Sequence, residues 1–135
     1  GKLPSVDERA FNLIVKYEWY ADKPYWDHKQ WSCGYGMRCT ATTTGITKEK
    51  SKMFLVDRIQ TIRERFKLHD IDDDIEVGLI SFIYNIGHPP VGYRWFIAHW
   101  HINALKNRMK EYSYAWGKYL RGLQLRRVDE SSFTN

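Results

Sequence analysis

The sequence is short of cysteine, of long apolar runs and of low-complexity segments, and each shortage removes a class of protein. Only Cys33 and Cys39 occur among 135 residues. Two thiols cannot by themselves build a structural zinc site. A bridge between them needs Cα atoms within about 7 Å, and a pair of free thiols is an equal alternative. No apolar run approaches the roughly 18 residues of a membrane span. The start, Gly1-Lys2-Leu3-Pro4, leads into a polar helix start rather than a signal peptide. Gly1 stands in place of Met, the mark of a tag or an excised domain, so the natural chain is expected to be longer. No internal repeat or linker divides residues 1–135, which read as one domain able to close a core.

Hydrophobic residues make up 43% and charged residues 27%, a globular rather than a disordered balance. The net charge of +5 favours an anionic partner: nucleic acid, anionic lipid or a bacterial wall polymer. An ordinary, mildly basic surface explains it equally well, because Lys and Arg are spread along the chain. Six Trp and nine Tyr suit sugar-stacking surfaces, although core filling accounts for most of them.

A first helix is expected from Ser5, whose spacing to Glu8 fits a capping box, to about Glu18. Its apolar stripe reads Phe11, Ile14, Val15, Glu18 at i, i+3, i+4, i+7. A carboxylate on that stripe calls for a partner or a purpose. Asp22-Lys23-Pro24 signals a turn. From Tyr25 to Thr44 the helical period gives way to Tyr, Trp, Thr and Gly, the signature of two or three short antiparallel strands. A second helix is expected over Thr47–Phe66, with Leu55, Ile59, Ile62 and Phe66 inward. The acidic run Asp70–Asp74 fits the start of a third helix better than a calcium loop, since it lacks the loop glycine and the terminal Glu. That helix stops at Gly87, before His88-Pro89-Pro90. Further helices are expected over Gly92–Ile102, Asn103–Trp116 and Leu123–Phe133. The fold class is therefore α+β, with the strands segregated in a small antiparallel sheet.

Glu18 and Asp27 form a candidate acid/base pair. An apolar surround and a helix C-terminus both favour a protonated Glu18, able to donate to a leaving oxygen. Asp27, in the polar segment with His28, Lys29 and Gln30, is expected to stay ionised, with the Ser32 hydroxyl beside it to hold a water. His88, His99 and His101 show no ligand spacing that suggests a metal.

Glu18, Asp27 and the stretch Trp31-Ser32-Cys33-Gly34-Tyr35-Gly36 resemble the catalytic segment of phage-type lysozymes. That segment carries a Glu at a helix end, an Asp, a Thr, and then Ile-Gly-Tyr-Gly. Ser81-Phe82-Ile83-Tyr84-Asn85-Ile86-Gly87 is similar to a second family stretch. Gly122-Leu123, Arg126-Arg127 and Glu130 are similar to the family's C-terminal signature, with Trp116 ahead of it. The matches run in order over roughly residues 11 to 130. The resemblance implies a lysozyme-like fold, with a sheet lobe and a larger helical lobe about a cleft. It implies hydrolysis of the β-1,4 bond between N-acetylmuramic acid and N-acetylglucosamine in bacterial peptidoglycan, without metal or cofactor, in the manner of an endolysin or a virion lysin. The location implied is the host cytoplasm before holin-assisted release to the wall, or the virion, and the chain would be a monomer or one domain of a larger phage protein.

Carried over, Glu18 is the general acid, Asp27 the base or electrostatic stabiliser, and Ser32 stands where the family has its water-positioning Thr. The Asp-to-hydroxyl gap is one residue short, so keeping the spacing would put Cys33 there; keeping register with Gly34 and Gly36 selects Ser32. Tyr25, Trp31, Tyr35 and Asn85 are the expected substrate-binding residues. Arg126 or Arg127 is expected to form a salt bridge, one of them to the carboxylate that ends the first helix. Two rivals remain: a non-catalytic peptidoglycan-binding module on the same fold, and, more remotely, a nucleic-acid-binding protein, although no helix here concentrates base-reading side chains.

Overall fold

The computed structural model describes residues 4–27, 29–115 and 117–134. Helix α1, Val6–Tyr17, starts where the sequence places it: the Ser5 hydroxyl accepts the Glu8 N–H at 3.1 Å. Ala10, Leu13 and Ile14 are its buried residues, with Phe11 and Val15 half-buried beside them. Glu18 is the C-cap, in extended conformation, with its N–H still bonded to the Ile14 carbonyl.

A three-stranded antiparallel sheet follows, β1 Ala21–Trp26, β2 Trp31–Gly34 and β3 Met37–Cys39, in the order β1-β2-β3. The turn expected at Asp22-Lys23-Pro24 lies inside β1 instead. Pro24 is tolerated there because β1 is an edge strand and its register with β2 shifts between Ala21 and Tyr25, which relieves a residue with no N–H from the ladder. The strand region ends at Cys39. Beyond it, Thr40 and Thr43 close a turn, the Thr40 N–H donating to the Thr43 hydroxyl.

Helix α2, Lys48–Arg65, is capped by Thr47 and buries Leu55, Ile59 and Ile62. After a 3-10 turn at Leu68–Asp70, the Asp72 carboxylate accepts the N–H groups of Asp74 and Ile75 and starts α3, Asp73–Ile86. This explains the acidic run as a helix start: Asp72 satisfies helix-start donors, and Asp73 and Asp74 lie in the first turn, where the macrodipole favours negative charge. Helix α3 is the hub of the core, with an unbroken buried run from Ile75 to Ile83. It stops at Gly87, whose φ of 99° few other residues adopt.

The later elements depart further from expectation. Helix α4 covers only Tyr93–Ala98, and Trp100 at φ 55° breaks the continuation to Ile102. Helix α5, Ile102–Lys110, ends early, and a two-stranded hairpin begins before its expected end: β4 Tyr114–Ala115 pairs with β5 Lys118–Tyr119. Gly117 supplies a positive-φ residue in that turn. The expected helix end at Trp116 lies outside the described residues. Helix α6, Arg121–Ser131, begins two residues before the expected Leu123 and packs on α3 and α5. No helix among the described residues is long and apolar enough to cross a membrane.

Helices α3 and α6 touch backbone to backbone at Gly78, where an added Cβ would lie 2.1 Å from the Glu130 carbonyl oxygen. Gly78→Ala therefore forces the two helices apart. It is expected to destabilise the protein by at least about 2 kcal/mol, read as a fall in the midpoint of chemical denaturation.

Candidate active site

Glu18, Tyr25, Asp27, Ser32 and Asn85 line one cleft of about 560 Å³ between the sheet and the helices. The sheet supplies Tyr25, Asp27 and Ser32. The helical side supplies Tyr84, Asn85 and Ile86 from the end of α3, and Leu123 from α6. Glu18 enters because α1 ends there: as an extended C-cap it turns its side chain out of the helical stripe, which leaves it 18% exposed.

Arg126 holds the Glu18 carboxylate, its Nη1 donating to Oε1 at 2.8 Å. The surround of Glu18 is thus not wholly apolar, as the helix stripe alone suggests, because its partner arrives from α6. Arg126 also donates to Glu130 Oε2 at 3.0 Å and to the Ser81 carbonyl at 3.2 Å. The Ser81 hydroxyl donates to Glu130 at 2.6 Å. Arg127 Nε lies 2.8 Å from Glu130 Oε1 as an ion pair, outside hydrogen-bond geometry, while its Nη2 donates to Asn85 Oδ1 at 2.7 Å. Burial pushes the Arg127 guanidinium down to about 10, still a cation at neutral pH. One buried network therefore runs from Glu18 through Arg126, Glu130 and Arg127 to Asn85. With Oδ1 taken by Arg127, the Asn85 amide nitrogen is left for the cleft.

On the other wall, Asp27 sits in the turn after β1. Its Oδ2 accepts the Ser32 hydroxyl at 2.6 Å, and its Oδ1 accepts the N–H groups of Lys29 and Gln30 at 3.3 and 3.1 Å. Burial raises the Asp27 carboxyl, but the Ser32 hydroxyl, the two amides and the Lys29 charge outweigh it and hold the group below its ordinary value. Burial, then the Glu18 and Asp27 carboxylates, push the Tyr25 hydroxyl up, so it remains a proton-bearing donor. Opposite Glu18, the turn Gly34-Tyr35-Gly36 closes the floor. Gly36 has φ 77°, and a Cβ there would lie 2.6 Å from Glu18 Oε2, so the carboxylate can occupy its place only beside a glycine.

Trp31 and Tyr35, both expected to bind substrate, do not line the cleft. Side chains alternate along β2, so with Ser32 facing the cleft Trp31 faces away, edge-on to Trp26. Tyr35 is 8% exposed and packs on Phe11 and Tyr20, and its carbonyl accepts the Tyr84 hydroxyl. Cys33, the alternative to Ser32, is buried on the far face beside Cys39, and both are free thiols. His28 lies outside the described residues. Sequence reasoning missed Tyr84, which lies inside a stretch already singled out, Tyr114 and Ala115, which line the cleft from a segment read as helix, and Leu120, which lies between two expected helices. Among the described residues no cluster of three His, Cys, Asp or Glu side chains could hold a metal.

The sequence matches the family described as phage lysozyme over residues 15–130. The chain belongs to the phage lysozyme family. Its lysozyme-like fold is shared with solved structures of low identity. The muramidase domain of SpmX from Asticaccaulis excentricus is 20% identical with a TM-score of 0.76, the match covering 97% of each chain. An endolysin from Escherichia coli O157:H7 phage FAHEc1 is 19% identical with a TM-score of 0.75, covering 98% of this chain and 94% of the other. The active form of the P1 phage endolysin Lyz is 20% identical with a TM-score of 0.72, covering 93% and 82%. Among the curated proteins no sequence matches significantly. Within the phage lysozyme family match lie Glu18, Asp27, Ser32, Asn85 and the whole arginine–glutamate network.

Asp27 contributes stability above its unfolded titration range, and this is lost as pH falls through its lowered folded value. Ser32→Ala removes the largest of the influences that lower it. The Asp27 carboxyl should then titrate at higher pH than in the parent, as followed by carboxyl-carbon NMR; an unchanged midpoint would contradict the hydrogen bond's role.

Proposed function

We propose that this protein is a peptidoglycan muramidase that hydrolyses the β-1,4 bond between N-acetylmuramic acid and N-acetylglucosamine. The observation that carries the reading is the convergence of two differently held carboxylates on one cleft. Arg126 fixes Glu18, for whose carboxylate Gly36 leaves room, while three donors keep Asp27 anionic. Membership of the phage lysozyme family supports it.

In this reading Glu18 is the general acid. Arg126 occupies Oε1, so Oε2 carries the proton to the glycosidic oxygen as the bond from that oxygen to the sugar C1 breaks. A water adds at C1 and gives its proton to Asp27, or Asp27 stabilises the positive charge that develops on the ring. Ser32 spends its own proton on Asp27, so it contributes to the water only as an acceptor, through its oxygen lone pair. Asn85 and Tyr25 offer donors to the sugar substituents. No metal or cofactor takes part. The protein would reach the wall from the host cytoplasm with the help of a holin, or from the virion, as a monomer or a domain of a larger phage protein.

Glu18→Gln keeps the shape of the side chain and removes the proton. It is expected to lower wall clearing by at least roughly a hundredfold while the protein still folds, as read by circular dichroism. Asp27→Asn should cost substantial rate, and Ser32→Ala somewhat less. Near-normal clearing by Glu18→Gln refutes the assignment.

Mass spectrometry of muropeptides after digestion by the parent protein is expected to show reducing-end muramic acid. Peptidoglycan that is bound without release of reducing ends would instead identify a non-catalytic wall-binding module.

A further inference from the structure

The hairpin between α5 and α6 has no part in the chemistry above, yet it forms a wall of the cleft. Tyr114 and Ala115 of β4 line the cleft with Leu120, Leu123 and Ile86, an apolar wall facing the polar one that carries Asp27 and Gln30. Tyr114 is 62% exposed, although its strand is pinned. It pairs with Tyr119 across the hairpin, and the Leu120 N–H closes the hairpin base on the Ser113 carbonyl at 3.0 Å. The two tyrosine rings meet at 69° with centroids 5.7 Å apart. Such an edge contact fixes their orientation without covering both faces of either ring. A large aromatic side chain oriented by its hairpin, and left open in the cleft that Glu18 and Asp27 line, offers a stacking face to a ligand.

We propose that Tyr114 stacks on the apolar face of a pyranose ring and forms a glycan subsite on the helical wall of the cleft. The proposal rests on the muramidase reading for the identity of the polymer. A pyranose presents C–H groups on its face and hydroxyls at its rim, which matches a cleft apolar on one wall and hydrogen-bonding on the other. A nucleobase could also stack on Tyr114. Its phosphates, however, would have to enter beside Asp27, an anion, and Glu18. Across the cleft, Tyr25 is backed by Trp19, with centroids 4.8 Å apart and planes 28° from parallel. The glycan is therefore gripped between two supported aromatic side chains, and Tyr114 sets binding rather than the chemical step.

The test reads binding, so that it is separable from hydrolysis. Glycan strands stripped of their stem peptides with an amidase are titrated against the Glu18→Gln protein with Tyr, Phe, Leu or Ala at position 114. Tyr114→Phe should bind within about twofold of its parent. Tyr114→Leu and Tyr114→Ala should bind roughly threefold to tenfold more weakly, with melting temperatures unchanged. Leu binding as well as Tyr would show apolar contact without stacking, and would overturn the proposal. So would equal affinity for all four, failure of the Tyr protein to bind stripped glycan, or a loss seen only on peptide-bearing wall. Glycan bound as expected but never cut by the wild-type protein would defeat the muramidase reading and leave this subsite standing.

Discussion

Glu130 is the residue on which the architecture of the cleft depends. It is fully buried, and its carboxylate meets Arg126, Arg127 and the Ser81 hydroxyl. A buried anion is tolerated only when it is paired and hydrogen-bonded, and removing one member of such a group costs about 3–5 kcal/mol because the remaining charges lose their partner. The arrangement therefore has little freedom to shift. Each arginine also donates from one nitrogen to a cleft residue: Arg126 to Glu18, Arg127 to Asn85. Three helices that contribute to the cleft are thereby tied to one charge.

The two carboxylates of the cleft differ in the way they are held. Glu18 is gripped by a buried cation on one oxygen, and its other oxygen occupies space that any side chain at Gly36 would take. Asp27 sits in a short turn and receives only neutral donors at hydrogen-bond distance, two of them from its own turn. The helical lobe fixes one group through long-range ion pairing, and the sheet lobe fixes the other through local geometry. That asymmetry is what distinct acid and base roles require.

Burial of polar groups also explains why certain glycines are needed. Gly78 allows α6 to approach α3 closely enough for Glu130 to lie under Ser81. Gly36 leaves room for the Glu18 carboxylate beside a turn with positive φ. At Gly78 the close approach is backbone to backbone; at Gly36 it is a charged side chain against backbone.

Local signals in the sequence determined the helix starts at Ser5 and Thr47, the acidic start of the third helix, the stop at Gly87, the inward faces of the first two helices, and the order of the residues that carry the family resemblance. These depend on contacts within a few positions, which spacing records directly. The hairpin at Tyr114–Tyr119 escaped because strands of two residues are too short to show a period, while Met109 and Tyr112 continue helical spacing past the end of α5. Trp31 and Tyr35 look like sugar-binding aromatics by composition, but the register of β2 and the packing of the core turn them away from the cleft. Only the tertiary structure decided which arginine meets Glu18, since the partners lie 108 residues apart. A carboxylate's place on a helix stripe reveals that it needs a partner; the folded chain alone brings that partner within reach.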